Sequence, residues 1–319
     1  MPSKAQGSIH LFRVAGIDLF LHWSWFVVAI FVAIFEIQSR SGRYSSVTWN
    51  VLEYLALFLI VLLHEFGHAF ACRQVGGTAN RILLWPFGGV AYVNPPQRAG
   101  ATLWSIAAGP LVNVALLPIF FGAFEFAKTN HWALTMPDEY IFVRAVLAID
   151  IGLLVFNLLP VYPLDGGQIF RSLLWFVLGR ARSLMVVTIL SFVGIVGLIG
   201  LAIWGQSVWT AAIAIFMLMN CWGGLQHARA LLRIAKLPRR PGYLCPSCRT
   251  GPPIGPHWGC RQCGKPFDTF ETRAVCPDCS AQYNVTTCLD CGESRPMQEW
   301  IADPVTASGV VVGSAIVPS

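Results

Sequence analysis

The sequence predicts a polytopic α-helical membrane protein with about six transmembrane helices, a small β-hairpin after the second, and a small cysteine-rich C-terminal domain. Composition is the first observation: 55% of the 319 residues are hydrophobic and only 12% are charged, whereas soluble domains carry about 25% charged residues. The others are repeated apolar stretches before residue 228 and eight cysteines from position 245 to 291. A single soluble globule and an intrinsically disordered chain are therefore excluded.

Six stretches approach the length of about 20 apolar residues that crosses the hydrocarbon core of a bilayer. They are residues 20–38, 50–75, 101–124, 141–163, 184–204 and 208–226. Residues 76–96 are glycine-rich and alternate in polarity, which predicts a hairpin or a re-entrant strand pair. Because open strand edges cannot face lipid, this pair must lie against protein, at the interface or beside water. The semi-apolar segment 166–183 predicts an interfacial helix.

The basic residues between the predicted spans are unevenly distributed. With the N-terminus inside, 13 Lys and Arg fall on the inner side and 4 on the outer side. This bias predicts a multi-pass protein of the cell membrane with both termini in the cytoplasm. The net charge of +6 is spread over the whole chain, so no nucleic-acid partner is expected.

The second span contains the segment His64-Glu65-Phe66-Gly67-His68. Positions i and i+4 share one face of a helix, so the two imidazoles can hold one zinc ion while the glutamate approaches a metal-bound water. Such side chains are costly in a lipid-spanning segment and are retained mainly at a polar or metal site. The alternative is a buried polar cluster that ties helices together.

A catalytic zinc site requires three protein ligands and one open position. Asp165 is the best third ligand, because it follows two prolines that break the fourth span, and because the second and fourth spans run in the same direction, so His64, His68 and Asp165 reach a similar depth. Asp150 is the rival carboxylate. A helix continuing for 15 residues would separate it from Asp165 by about 22 Å, so we expect Asp150 to be a buried hydrogen-bonding group.

Three motifs, in this order, resemble those of the site-2 protease family of intramembrane zinc metalloproteases. They are residues 64–68, Gly109-Pro110-Leu111-Val112-Asn113, and the segment from Asn157 to Gly166, and the resemblance covers about residues 8–226. It implies an endopeptidase that hydrolyses peptide bonds in or near transmembrane segments of membrane protein substrates, in regulated proteolysis. For Asn113, close helix packing and participation in the site both stay open.

The same resemblance implies the roles of individual residues. His64, His68 and Asp165 would bind the catalytic zinc, and Glu65 would be the general base. Asn157 would help to hold the substrate backbone or the oxyanion. The alternative from another class is a non-catalytic membrane scaffold or metal-handling protein that presents its cysteine-rich domain to cytoplasmic partners.

The cysteines of the C-terminal part form four Cys-x2-Cys pairs. They are Cys245 and Cys248, Cys260 and Cys263, Cys276 and Cys279, and Cys288 and Cys291. Eight thiolates suit two structural zinc sites of four cysteines each, and a cytoplasmic location disfavours disulfides. The pattern resembles a double zinc ribbon. The simplest pairing joins the first pair with the second and the third with the fourth, while an interleaved pairing stays open.

The predicted domain organisation follows from these assignments. Residues 1–228 form the membrane-embedded metalloprotease domain, 229–242 a basic linker, 243–301 the double zinc ribbon and 302–319 a flexible tail. The expected cofactors are one catalytic and two structural zinc ions. The expected partners are a membrane protein substrate, the lipid bilayer and a cytoplasmic protein that contacts the ribbons.

Overall fold

The computed structural model describes residues 7–27, 43–85 and 88–301. The chain divides into two compact units, Met1–Gln226 and His227–Ser319. The predicted tail at 302–319 and most of the first predicted span lie outside the described residues.

Helices dominate the first unit. In chain order they are α1 (Val47–Gln74), α2 (Ala99–Thr129), the short α3 (Trp132–Thr135), α4 (Pro137–Leu158), α5 (Asp165–Leu178), α6 (Arg180–Trp204) and α7 (Val208–Ala235). Four of the described helices, α1, α2, α4 and α6, are long and apolar enough to cross a membrane. The prediction of six such helices is not confirmed.

The predicted spans differ from the helices at three places. Residues 20–22, which open the first predicted span, belong to a strand. The sixth span lies within α7, which is not one of the four membrane-length apolar helices. The fourth ends at Leu158 and not at 163, because Leu159 precedes a proline and takes φ −57° and ψ 133°, the extended conformation that a following proline favours. Segment 166–183 is helical as α5 but breaks at Gly179, after which α6 begins.

A four-stranded sheet lies beside the helices. Its strands are β1 (Ser8–Val14), β2 (Ile17–His22), β3 (Thr78–Trp85) and β4 (Gly88–Asn94), in the spatial order β1-β2-β3-β4. Strands β2 and β3 are parallel, and the other two pairings are antiparallel. The predicted hairpin after the second span is therefore present as β3 and β4. The β1–β2 hairpin was not predicted; its two-residue turn has positive φ at Ala15 and Gly16, as in the turns that favour hairpins.

One face of the sheet packs against the second half of α1. Alternate residues of β2 and β3 are buried there, because successive side chains of a strand point to opposite faces. The cluster includes Ile17, Leu19, Ile82 and Leu84 from the strands and Val61, Leu62, Ala69 and Cys72 from α1. This packing places β4 next to the polar segment of α1.

The second unit has little regular structure. It contains two short antiparallel hairpins, β5 (Trp258–Gly259) with β6 (Pro266–Phe267) and β7 (Thr286–Thr287) with β8 (Ser294–Arg295). Its buried cluster consists largely of cysteines and aromatic residues, with Trp300 completely buried. An apolar core of this size suits a unit that folds around metal ions.

Candidate metal centres

The three predicted ligands of the catalytic site meet at one point. The Nε2 atoms of His64 and His68 are 3.1 Å apart, and they lie 3.0 and 3.3 Å from Oδ2 of Asp165. Ligand atoms about 2.0–2.1 Å from a tetrahedral zinc ion lie roughly 3.3 Å from each other. The donor set and its spacing therefore fit one zinc ion.

Both histidines use their other ring nitrogen for a hydrogen bond. Nδ1 of His64 donates to Oδ1 of Asn113 at 2.6 Å, and Nδ1 of His68 donates to the carbonyl oxygen of Ser105 at 2.9 Å. This arrangement leaves both Nε2 lone pairs for a metal, and it is the usual environment of metal-binding histidines. Asn113 thus contacts a predicted ligand directly, which its sequence position left open.

Gly109 of α2 leaves open the space in front of these nitrogens. A Cβ atom at this position would lie 2.3 Å from Nε2 of His68 and 2.7 Å from Nε2 of His64. A side chain here would occupy the place that an ion bound to both nitrogens requires. The sequence places Gly109 in one of the three motifs but does not reveal this contact.

Asp165 owes its position to a tight loop. It is the first residue of α5, and the two glycines after it pack against the loop that follows α4. A Cβ atom would lie 2.2 Å from the carbonyl oxygen of Leu158 at Gly166, and 2.6 Å from the backbone nitrogen of Tyr162 at Gly167. The pair of glycines therefore lets the loop close on the helix and hold Asp165 next to the histidines.

Glu65 is held from the other side by strand β4. Its side chain is buried, and Oε2 accepts a hydrogen bond of 2.9 Å from the backbone N–H of Ala91. A Cβ atom at Gly89 would lie 2.2 Å from Cγ of Glu65. The hairpin thus fixes the carboxylate beside the two histidines, a contact that the sequence analysis did not anticipate.

A cavity of about 700 Å³ adjoins this cluster. The predicted residues Asn157, Glu65 and Asp165 line it together with both histidines. Two further polar residues also line it, Gln168 of α5 and Asn220 of α7. Neither belongs to a motif, so the sequence offered no signal for them.

Asp150 is a buried hydrogen-bonding group, as expected. Its side chain is 0% exposed, and Oδ1 accepts a hydrogen bond of 2.7 Å from Nδ2 of Asn113. The predicted separation of about 22 Å from Asp165 is wrong, because α4 ends at Leu158 and the chain turns back. The two carboxylates are linked through Asn113 and His64 by two hydrogen bonds and the 3.0 Å contact between Nε2 of His64 and Oδ2 of Asp165.

A family model matches the part of the chain that contains this cluster. Residues 53–139 and 132–201 match the model of Peptidase family M50, and they include all the residues of the histidine, glutamate and aspartate cluster. Over these residues, the chain is similar to peptidase family M50.

This chain is covered only in part by its curated relatives. It is 31% identical over 176 residues to the zinc metalloprotease MJ0392 of Methanocaldococcus jannaschii, which covers 55% of this chain and 48% of the relative. It is 32% identical over 181 residues to the putative zinc metalloprotease Rip3 of Mycobacterium tuberculosis, and the match covers 53% of this chain and 44% of the relative. The chain therefore spans about half the length of these curated relatives.

A solved structure shares the fold. The site-2 protease from Methanocaldococcus jannaschii superposes with a TM-score of 0.50 and 23% identity, covering 68% of this chain and 95% of that structure. At this identity the likeness concerns the arrangement of the elements alone.

The second unit of the chain contains two further groups of possible metal ligands, each of four cysteines. Cys245 and Cys248 join Cys288 and Cys291, with Sγ atoms 3.7 Å apart across the pairs. Cys260 and Cys263 join Cys276 and Cys279, with Sγ atoms 3.5 and 3.7 Å apart. Four sulfurs that are about 2.3 Å from a zinc ion have this spacing.

The simplest predicted pairing is therefore wrong: the first Cys-x2-Cys pair joins the fourth, and the second joins the third. The reason lies in the return of the chain to its start. Tyr243 bridges Ile301, and the N–H of Leu244 donates to the carbonyl oxygen of Trp300. These contacts bring the two ends of the ribbon region together, and with them the outer two cysteine pairs.

All four pairs form the same turn. The carbonyl oxygen of the first cysteine accepts a hydrogen bond of 2.8–2.9 Å from the N–H four residues later. The residue that donates it follows the second cysteine and has positive φ in each turn, at Arg249, Gly264, Ser280 and Gly292. The repeated geometry points both thiolates of a pair in one direction, as a shared metal requires.

Asp268, which follows β6, accepts hydrogen bonds from Arg240 and Gly255 in the first part of this unit. Burial alone would raise the pKa of its carboxyl group, but hydrogen bonds from the backbone N–H groups of Gly255, Phe270 and Glu271 and the charge of Arg240 outweigh burial and lower the pKa. Asp268 is therefore held as a carboxylate, paired with the Arg240 guanidinium at 2.5 Å.

Proposed function

We propose that this chain is a zinc endopeptidase that hydrolyses peptide bonds in or near the transmembrane segments of membrane protein substrates, in regulated proteolysis. One observation carries the proposal: the ligand atoms of His64, His68 and Asp165 lie 3.0–3.3 Å apart, and both histidines lie inside the apolar helix α1. Polar groups in such surroundings are costly and are retained for function. The match of residues 53–201 to the model of family M50 and the relatives named zinc metalloproteases support the same assignment.

The side chains of the cluster have distinct roles in this proposal. A zinc ion held by His64, His68 and Asp165 would supply an activated water and a Lewis acid for the scissile carbonyl. Glu65, fixed by the Ala91 N–H at 2.9 Å, takes the proton of the attacking water and returns it to the leaving amine. Asn157, in the same cavity, holds the substrate backbone or the oxyanion.

We further propose that the substrate binds as an added strand along the β3–β4 hairpin. Strand β4 is the last strand of the described sheet, and Gly89, Ala91 and Val93 line the cavity beside Glu65. An extended peptide can add to such an edge through main-chain hydrogen bonds. It would bring a scissile bond next to the carboxylate.

The orientation and the ribbons complete the proposal. The basic residues between the spans favour both termini in the cytoplasm. There, the double zinc ribbon at 243–301, linked to the membrane domain at 1–228 by the basic residues 229–242, contacts a cytoplasmic protein partner. We assign one catalytic and two structural zinc ions to the chain.

The position of cleavage tests the intramembrane part of the proposal. The full chain is reconstituted in lipid vesicles with single-span model proteins whose helices carry helix-breaking residues at different depths. The new termini are mapped by mass spectrometry. We expect cuts within or next to the span that disappear on chelation of zinc. Cuts confined to soluble regions far from the span would refute it.

Strand addition is tested at Val93. Because alternate residues of a strand orient alike, the N–H of Val93 points to the same side as that of Ala91, away from β3. Val93→Pro removes this donor without removing a bond to β3, and Val93→Ala is the control that keeps it. We expect weaker cleavage in the proline variant alone, with an unchanged melting temperature. Equal turnover in both variants would exclude strand addition at this edge.

A further inference from the structure

We infer that Asp150 and Asn113 act as positioning residues. They determine which ring nitrogen of His64 carries the proton, and thereby the zinc affinity of the catalytic site. The inference rests on the proposed zinc site. Its basis is a continuous hydrogen-bonded chain across three helices: Asp150 of α4 accepts from Asn113 of α2 at 2.7 Å, and Asn113 accepts from His64 of α1 at 2.6 Å. Asp150 and Asn113 are 0% exposed, and His64 is 5% exposed.

The chemistry of the donors allows one order along this chain. Nδ2 of Asn113 donates to Oδ1 of Asp150, and an asparagine side chain has one donor nitrogen and one acceptor oxygen. Because Nδ2 of the amide faces Asp150, the amide must present Oδ1 to His64. An oxygen without hydrogen accepts from a ring N–H, so the proton of His64 lies on Nδ1. Nε2 is left with the lone pair that a metal needs.

The alternative arrangement would compete with metal binding. If the amide of Asn113 turned around, its Nδ2 would face Nδ1 of His64, and the imidazole proton would have to move to Nε2. Nε2 of His64 lies 3.0 Å from Oδ2 of Asp165, so that proton would form a direct His64–Asp165 hydrogen bond in place of the metal. Asp150 prevents this metal-free arrangement by fixing the amide.

Packing alone does not account for a carboxylate at position 150. Among the described residues, Oδ2 of Asp150 is buried without a hydrogen-bond partner. A half-satisfied buried carboxylate is costly, and an apolar side chain of similar volume would pack there at lower cost. The acidic group is explained by its other oxygen, Oδ1, which accepts the hydrogen bond from Nδ2 of Asn113 and so fixes the orientation of the amide.

The experiment measures zinc retention by the full chain in detergent micelles, under titration with a chelator, by metal analysis. Asp150→Leu and Asn113→Leu break the chain, and we expect the catalytic zinc to be bound about 10- to 100-fold more weakly, as for other outer partners of metal ligands. The two ribbon zincs serve as an internal reference. Thr188→Val is the control, since Thr188 is also 0% exposed in a long apolar helix and its hydroxyl donates to the carbonyl oxygen of Leu184 in the same helix.

The exchanged pair Asn113→Asp with Asp150→Asn separates positioning from packing. The new carboxylate accepts from His64, and the new amide donates to that carboxylate, so the order of donors is restored. We expect zinc affinity within about threefold of the wild type, because a carboxylate suits a zinc-bound histidine equally well. Circular dichroism melting shows whether each variant is folded. If one leucine variant does not fold, the test rests on the other leucine variant and the exchanged pair.

The outcomes are distinct. Weak zinc binding in a folded leucine variant, restored in the exchanged pair, supports the inference. Wild-type affinity in folded leucine variants, or a folded exchanged pair as weak as they are, overturns it. A wild-type chain that binds only the two ribbon zincs would overturn the proposed zinc site itself.

Discussion

Gly109 provides the sharpest test of the catalytic zinc site. In Gly109→Ala the added Cβ would lie 2.3 Å from Nε2 of His68 and 2.7 Å from Nε2 of His64. An ion bound to both nitrogens must lie about 2.0–2.1 Å from each, so the methyl group and the ion compete for one space. To relieve contacts this short, the helices or the imidazoles must move by about 1 Å, and a displacement of that size costs about 100-fold in function.

The assay combines metal analysis with cleavage. We expect Gly109→Ala to lose one of three zinc ions, with affinity at that site at least about 100-fold lower, or roughly 2.8 kcal/mol, and cleavage reduced in parallel. Gly122→Ala is the matched control, because Gly122 lies on the same helix and a Cβ there meets nothing within 4 Å. If Gly109→Ala keeps all its zinc and its activity, the space in front of the histidines is not the metal site.

Two further predictions concern the other contacts. Gly89→Ala would place a Cβ 2.2 Å from Cγ of Glu65, so it should reduce cleavage at least about tenfold while zinc content stays that of the wild type; loss of zinc, or full activity, would contradict a role limited to the carboxylate. Cys291→Ser should expose Cys245 and Cys248 to alkylation, because they share its cluster, and peptide mass spectrometry would show it. Labelling of the third cysteine pair in that variant would instead restore the simplest pairing.

Short sequence patterns were sufficient to predict that His64, His68 and Asp165 lie together. The spacing of His64 and His68 depends only on the helix, and the break after the fourth span depends on two prolines, so both are encoded within short segments. The error about Asp150 came from extending α4 beyond its end. The proline restriction on Leu159 stops the helix at Leu158, which the apolar run did not reveal.

Other features depend on contacts between distant segments. Strand β2 joins directly to an apolar stretch, so its alternating burial was hidden within a predicted span. The bond from Ala91 to Glu65 links residues 26 positions apart, and no local pattern encodes it. The cysteine pairs all have the same internal spacing, so only the return of the chain at Trp300 decides which pairs share a cluster.

The most direct test of the central claim is Glu65→Gln, with cleavage and zinc content measured on the same reconstituted sample. Glutamine keeps the size of the side chain and can still accept the Ala91 N–H, but it cannot take a proton from water. We expect three zinc ions per chain in both proteins and cleavage by the wild type alone. Equal cleavage by the variant would contradict the assignment of Glu65 as general base.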